Sequence, residues 1–221
     1  MKDLKIVYWD WNGTLWNDVE QWSIAAIEAY KHANIPDVLT VERLTEAFDV
    51  PVSEVIYTLG ASRDLPQENH DRLLKTFTET LYKLDHLSSV RDGAREALEY
   101  LEGKNIINHL VSNHPLSLLE RELEKGDLRG FFDLVQGNET HGQVYNKATK
   151  AQRIKKHLQD TGIKPCKTCI IADTREEIRI AHEFGMVSVA LTGGYNSEKV
   201  LKQEFPDHLI HSLREIPKLI A

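Results

Sequence analysis

The sequence predicts an α/β fold built on a parallel sheet, with an all-helical excursion inserted directly after the first strand. Three observations carry this. The 221-residue chain opens on an apolar, β-rich run, Leu4 to Trp9, that ends in a carboxylate, Asp10, and a turn through Asn12 and Gly13. From Asn17 to Ser89 the apolar spacing is helical and no convincing strand interrupts it. After Asp92 short apolar runs alternate with helical patterns, the order that lays strands parallel.

Element by element, Asp18 to His32 carries Val19, Trp22, Ile24, Ala26, Ile27 and Tyr30 at near-helical spacing, with Asn17 or Asp18 as its cap. Further helices are expected at Thr40 to Phe48, Val52 to Leu59 and Pro66 to Asp85. The alternating half then reads helix Asp92 to Gly103, strand Ile106 to Ser112, helix Pro115 to Lys125, strand Phe132 to Gln136 and helix Asn146 to Asp160. Strand Thr168 to Asp173, helix Arg175 to Phe184, strand Val187 to Leu191, a short strand at His208 to Ile210 and a helix from Leu213 complete it.

The length suits one α/β domain with a small inserted one. A formal net charge of −7, with scattered basic residues, offers no electrostatic footprint for nucleic acid or an anionic membrane. No apolar run approaches the ~20 residues of a membrane span, and the start MKDLKIVYWD lacks signal-peptide architecture. A cytoplasmic protein acting on a small molecule or a protein partner is expected; oligomeric state is not readable. Cys166 and Cys169 form a lone C-x-x-C leading into an apolar strand, which reads as structural because zinc needs about four ligands.

Several strand ends carry polar residues that share a crevice with Asp10: Ser112 and Asn113 after INHLV, and Asp173 after CIIA with Glu177 one helical turn on. Lys147, at a helix start, lies between them in sequence. Carboxylates with a hydroxyl and an ammonium describe a site for a divalent cation and a phosphoryl group. Each residue also has a plainer reading: Ser112 as a helix cap, Lys147 as a surface cation, Asp10 to Gly13 as turn chemistry.

With those residues in order, the chain resembles the haloacid dehalogenase superfamily over almost its whole length. Asp10-Trp11-Asn12-Gly13-Thr14 is similar to the first motif, Asp-x-Asp-Gly-Thr, except at Asn12. Ser112 with Asn113 matches the second, Lys147 the third with Lys150 as its rival, and Ala172-Asp173-Thr174-Arg175-Glu176-Glu177 the fourth. The resemblance implies a Rossmann-like parallel sheet core, residues 1–16 and 90–221, and a helical, four-helix type cap at 17–89 like that of the phosphoglycolate-phosphatase branch.

The same resemblance implies a Mg²⁺-dependent phosphatase of small phosphorylated metabolites that acts through an aspartyl-phosphate on Asp10. Mg²⁺ would be held by Asp10, the Asn12 carbonyl and Asp173, with Glu177 acting through a bound water. Ser112, Asn113 and Lys147 would take phosphoryl oxygens, with backbone amides from Trp11 and Asn12. Asn12 departs from the pattern: it replaces the Asp that exchanges protons with leaving group and water, and an amide cannot do so.

Loss of such help costs about 10²–10⁴-fold, so three readings stay open. They are a slow or leaving-group-selective phosphatase, one that recruits another proton carrier such as His114 or, less well placed, His141, and a catalytically weakened phosphate-ligand binder. Cleavage of a non-phosphoester bond is a further alternative, although the acidic pair argues for a metal and no lysine is marked as a Schiff base. Trp16 and Trp22 read as packing residues. By analogy of cap position, Arg63 and Asp64 are expected to reach the substrate.

Overall fold

The computed structural model describes residues 1, 3–33, 39–139 and 150–220. Six parallel strands form one sheet in the order β5-β4-β1-β6-β7-β8: β1 Ile6–Trp9, β4 Ile107–Pro115, β5 Leu134–Asn138, β6 Thr168–Ala172, β7 Val187–Leu191 and β8 His208–Ile210. The chain steps outward from β1 to β4 and β5, then returns to the other side of β1 for β6 to β8. That reversal opens a crevice at the carboxyl end of β1, where α/β sheets bind ligands. In register, β1 runs Ile6 to Trp9 against Ile107 to Leu110 and against Thr168 to Ile171.

Alternation along β1 sorts its side chains into two cores. Val7 and Trp9 join Leu98, Leu110, Leu119 and Leu213 on one face, and Trp11 falls on that face too. Ile6 and Tyr8 join Ile154, Leu158 and Ile170 on the other. A strand buried on both faces must be apolar along its whole length, which is why the run preceding Asp10 shows no polar break.

The helices between β1 and the rest of the sheet pack mainly among themselves. Val19–Tyr30 lies along Gln67–Lys83, and Trp22, Ala26, Ala29, Leu44, Phe48, Ile56 and Leu73 form their own cluster. One residue of the sheet region enters it. Tyr195, in the loop after β7, stacks on Trp22 at 4.9 Å and meets Phe48 edge-on at 4.9 Å. Around it, Asn196 Nδ2 donates to the carbonyls of Thr45 and Phe48, and Arg175 donates to that of Glu46.

Several expectations are corrected. Two short strands, β2 Trp16–Asn17 and β3 Ser89–Val90, pair antiparallel where the helical segment leaves and rejoins the sheet. Two residues are too few for a periodicity to register. The segment from Val52 divides into a 3₁₀ turn, Val52–Glu54, and one helical turn, Val55–Thr58; its β-branched residues resist a longer helix. The helix Gln67–Lys83 is joined by a helix not anticipated after β7, Glu198–Gln203, capped by the Ser197 hydroxyl. β4 runs on through Ser112 and Asn113 to Pro115, because their carbonyls accept from Arg153 and Asn138 side chains across a register shift. The helix expected from Asn146 is described from Lys150 to Thr161. No helix among the described residues is long and apolar enough to cross a membrane.

Candidate active site

Asp10 stands just past β1, its N–H donating to the Ile171 carbonyl of the neighbouring strand at 3.1 Å, so two strand ends fix its position. Its carboxylate Oδ1 accepts from Lys150 Nζ at 2.8 Å. Lys150 is almost fully buried at the start of its helix and also pairs with Glu177, which in turn accepts from the Thr174 hydroxyl. The lysine brought to Asp10 is therefore the sequence rival, Lys150; Lys147 and His141 lie outside the described residues.

Asp173 is clamped on three sides. Thr14 Oγ1 and the Tyr195 N–H each donate to it at 2.6 Å. Gly13 and Gly194 press against it so closely that a Cβ on either would come within 2.2 Å of Oδ2. Gly13 also has φ +73°, so the turn needs glycine for its backbone as well as for space. The sequence showed Gly13 as a turn residue; its contact with Asp173 needed the fold.

Charge in this pocket is unbalanced. Asp10, Glu176 and Glu177 are buried around Lys150, and Asp173 is buried beside Asp10 and Glu177. Burial pushes the Asp10 carboxyl up to about 8 against the pull of Lys150, with Glu177 and Asp173 adding to the rise. Burial likewise raises Glu176 to about 8 and Asp173 to about 6. For Lys150 burial acts the other way, but Asp10, Glu177 and Glu176 outweigh it and hold the ammonium charged.

This is a donor set short of positive charge, and it contains buried acceptors without a partner, Asn113 Oδ1 and Glu176 Oε1. Among the described residues no three His, Cys, Asp or Glu side chains close a shell alone. Mg²⁺ does not need that, because it keeps several waters and takes one or two carboxylates. The oxygen-rich donors fit such an ion.

Asn12 is half-buried beside Asp10 and gives its side-chain amide to Asp18 Oδ2 at 2.7 Å. Asp18 is itself buried, receives the Gly13 N–H and the Tyr195 hydroxyl, and is pushed up by burial against those hydrogen bonds. Sequence reading took Asp18 only as a cap; its side chain makes no cap bond to the helix and turns into the site instead. Ser112 Oγ accepts from the His114 N–H, and Asn113 Nδ2 donates to Glu176. His114 Nε2 lies 3.4 Å from Glu122, whose other oxygen accepts from Trp11 Nε1. The Trp11 ring is fully buried against Trp16 at 5.5 Å, so nothing but its backbone can meet a ligand.

Asp10, Asn12, Asp18, Ser112, Asn113, His114, Lys150 and Glu177 line one cavity of about 180 Å³ roofed by the helical segment. Trp22 is part of its wall as well as packed on Tyr195. Arg63 and Asp64 are not: Arg63 pairs with Glu54 and covers the Tyr57 ring, both exposed away from the cavity. Cys166 and Cys169 are free, exposed and buried respectively.

Known proteins resemble this chain in sequence and fold. A phosphoglycolate phosphatase of Vibrio parahaemolyticus is 25% identical over 227 residues, covering 100% of this chain and 97% of its own. That of Escherichia coli K12 is 26% identical over 155 residues, 69% of this chain and 60% of its own. Among solved structures, a predicted phosphoglycolate phosphatase from Haemophilus somnus superposes with a TM-score of 0.78 at 22% identity, over 99% of both chains. A haloacid dehalogenase-like protein, SP0104 of Streptococcus pneumoniae, does so with 0.78 at 20% identity, also over 99% of both. The sequence family described as haloacid dehalogenase-like hydrolase matches residues 7–191. The chain belongs to the haloacid dehalogenase-like hydrolases.

Proposed function

We propose that this hydrolase cleaves phosphomonoesters of small metabolites with Asp10 as nucleophile, the activity for which its full-length relatives are named. One observation carries the reading: a buried carboxylate at the carboxyl end of the central strand, ion-paired to Lys150 on the floor of a closed-over cavity that Ser112 also lines. Residues 17–89 serve as the cap and residues 1–16 and 90–221 as the core.

Asp10 attacks phosphorus and the ester oxygen leaves; water then cleaves the aspartyl-phosphate and regenerates the carboxylate. Lys150 orients Asp10 and opposes the rise that burial imposes on its carboxyl, and its charge draws the phosphoryl oxygens towards the attack position. Ser112 donates its hydroxyl to a phosphoryl oxygen while accepting the His114 amide. The N–H groups of Gly13 to Trp16 are committed within the loop, so Trp11 and Asn12 are the ones to offer backbone amides. Asp10, the Asn12 carbonyl and Asp173 would hold Mg²⁺, which would supply charge neutralisation between the anionic nucleophile and the anionic ester. Glu177, paired with Lys150 and Thr174, positions the lysine.

Asn12 lends no proton, so the leaving oxygen departs with little acid assistance and activated esters react fastest. The test is hydrolysis of p-nitrophenyl phosphate with and without Mg²⁺, with Asp10→Asn as control. Metal-dependent turnover lost in Asp10→Asn supports the reading. Binding of phosphate ligands without any turnover supports the weakened binder that Asn12 leaves open.

A further inference from the structure

The cavity roof does not suit the ester of a hydroxy acid. Above Asp10 the wall is Trp22, Phe48, Val50 and Val52 on one side and Phe77 and Leu81 of the Gln67–Lys83 helix on another. These groups carry no charge; Gln21, Thr78 and Tyr82 add polar atoms to the lining from the same segment, and the Gln21 amide is already given to the Leu81 carbonyl. Among the described residues, the Asp, Glu, Lys and Arg side chains that line the same cavity are six carboxylates, Asp10, Asp18, Asp85, Glu122, Glu176 and Glu177, against Lys150 and Arg121. Lys150 is already paired with Asp10 and Glu177, and Arg121 is exposed on the rim helix next to Glu122.

A substrate carboxylate placed here would lose water and face like charge, and a bound group is penalised for both. An apolar group would instead be removed from water against the roof. The cavity, about 180 Å³ and open to solvent on one side, has room for such a group, since an apolar cavity of about 150 Å³ takes up benzene.

We propose that the organic part of the substrate is a single apolar group the size of one ring or a short branched chain, without a second anionic charge, seated against Phe48, Phe77 and Leu81. This rests on the phosphatase reading for the position of the phosphoryl group. It separates the substrate class from that named for the relatives, whose ester carries a carboxylate.

The test reads binding and hydrolysis separately. With Mg²⁺ present, calorimetric titration compares 2-phenylethylphosphonate, methylphosphonate and phosphonoacetate, which cannot be hydrolysed. The phenylethyl compound is expected to bind at least tenfold tighter than methylphosphonate, and phosphonoacetate no tighter than methylphosphonate. Phosphonoacetate binding tightest, with that gain lost in Arg121→Ala, overturns the proposal, as does equal binding of the phenylethyl and methyl compounds.

Leu81→Arg, or Val52→Lys should the first not fold, adds a cation to the roof and is expected to reverse the order. Unchanged order in a folded variant also counts against the proposal. Hydrolysis of 2-phenylethyl phosphate, ethyl phosphate and 2-phosphoglycolate, all alkyl esters, then reports on the phosphatase reading alone. If none turns over while the binding order holds, that reading fails and the pocket assignment stands.

Discussion

Asn12 and Asp18 form a partly buried amide-to-carboxylate pair, Nδ2 to Oδ2 at 2.7 Å, six residues apart in sequence and both on the cavity that holds Asp10. The amide nitrogen faces Asp18, so its carbonyl oxygen is the end left to face elsewhere. Position 12 has no carboxylate, yet a carboxylate lies directly behind it.

That pair decides what Asn12→Asp does. Alone, it sets two buried carboxylates in hydrogen-bond contact, and one must hold a proton or the pair must separate. A loss on the order of 3 kcal/mol is expected from an uncompensated buried charge, read by thermal or urea unfolding. The double change Asn12→Asp with Asp18→Asn reverses donor and acceptor and should recover most of it, with clear non-additivity. A single variant as stable as the parent would show that the pair is not formed.

The double variant also offers a proton carrier at position 12. Turnover of alkyl phosphates should rise more than that of aryl phosphates, by part of the 10²–10⁴-fold typical of general acid–base help. If rates and selectivity for both ester types stay unchanged, another group such as His114 carries the proton.

Lys150→Gln should abolish turnover and destabilise the fold, because three buried carboxylates, Asp10, Glu176 and Glu177, then share no ammonium. Lys147→Gln is expected to keep most activity. Comparable kcat losses, with both variants folded by circular dichroism, would return the phosphate-binding role to Lys147.

For the metal, Asp173→Ala should raise the Mg²⁺ concentration required for activity far more than Glu177→Gln. Glu177 is tied to Lys150 and Thr174, so its loss should lower kcat with little change in Mg²⁺ dependence. Equal shifts in Mg²⁺ dependence would show that Glu177 belongs among the ligands.

His109 gives a stability prediction away from the site. It packs edge-on to His157 at 4.4 Å and to Tyr8 at 5.9 Å, and burial, aided by His157, lowers it to about 4, against a smaller pull from Asp133. The folded state therefore holds it neutral while the unfolded chain protonates near 6.5. Its contribution is fully present above pH 6.5 and is lost as pH falls towards 4. His109→Gln should flatten unfolding stability against pH across that window by up to about 3 kcal/mol. A profile parallel to that of the parent would refute the buried neutral state.

Local patterns fixed much of this molecule from sequence alone. A strand buried on both faces has to be apolar, a βαβ chain has to lie parallel, and carboxylates at strand ends have to share one edge, so Asp10, Ser112 and Asp173 could be placed together before any coordinates. Three things depended on the tertiary structure. The fold brings Lys150 to Asp10, a pairing across 140 residues that spacing could not single out from a second lysine three residues earlier in the sequence. Asp18 looked like an ordinary cap because nothing local says which way a carboxylate turns; the Asn12 amide and the Tyr195 hydroxyl, 177 residues away in the chain, turn it inward. The apolar roof over Asp10 comes from side chains at 22, 48, 52 and 77, residues whose helical spacing reads as core until the fold brings them above that carboxylate. Periodicity reports that a face is buried, and contact between distant segments decides against what.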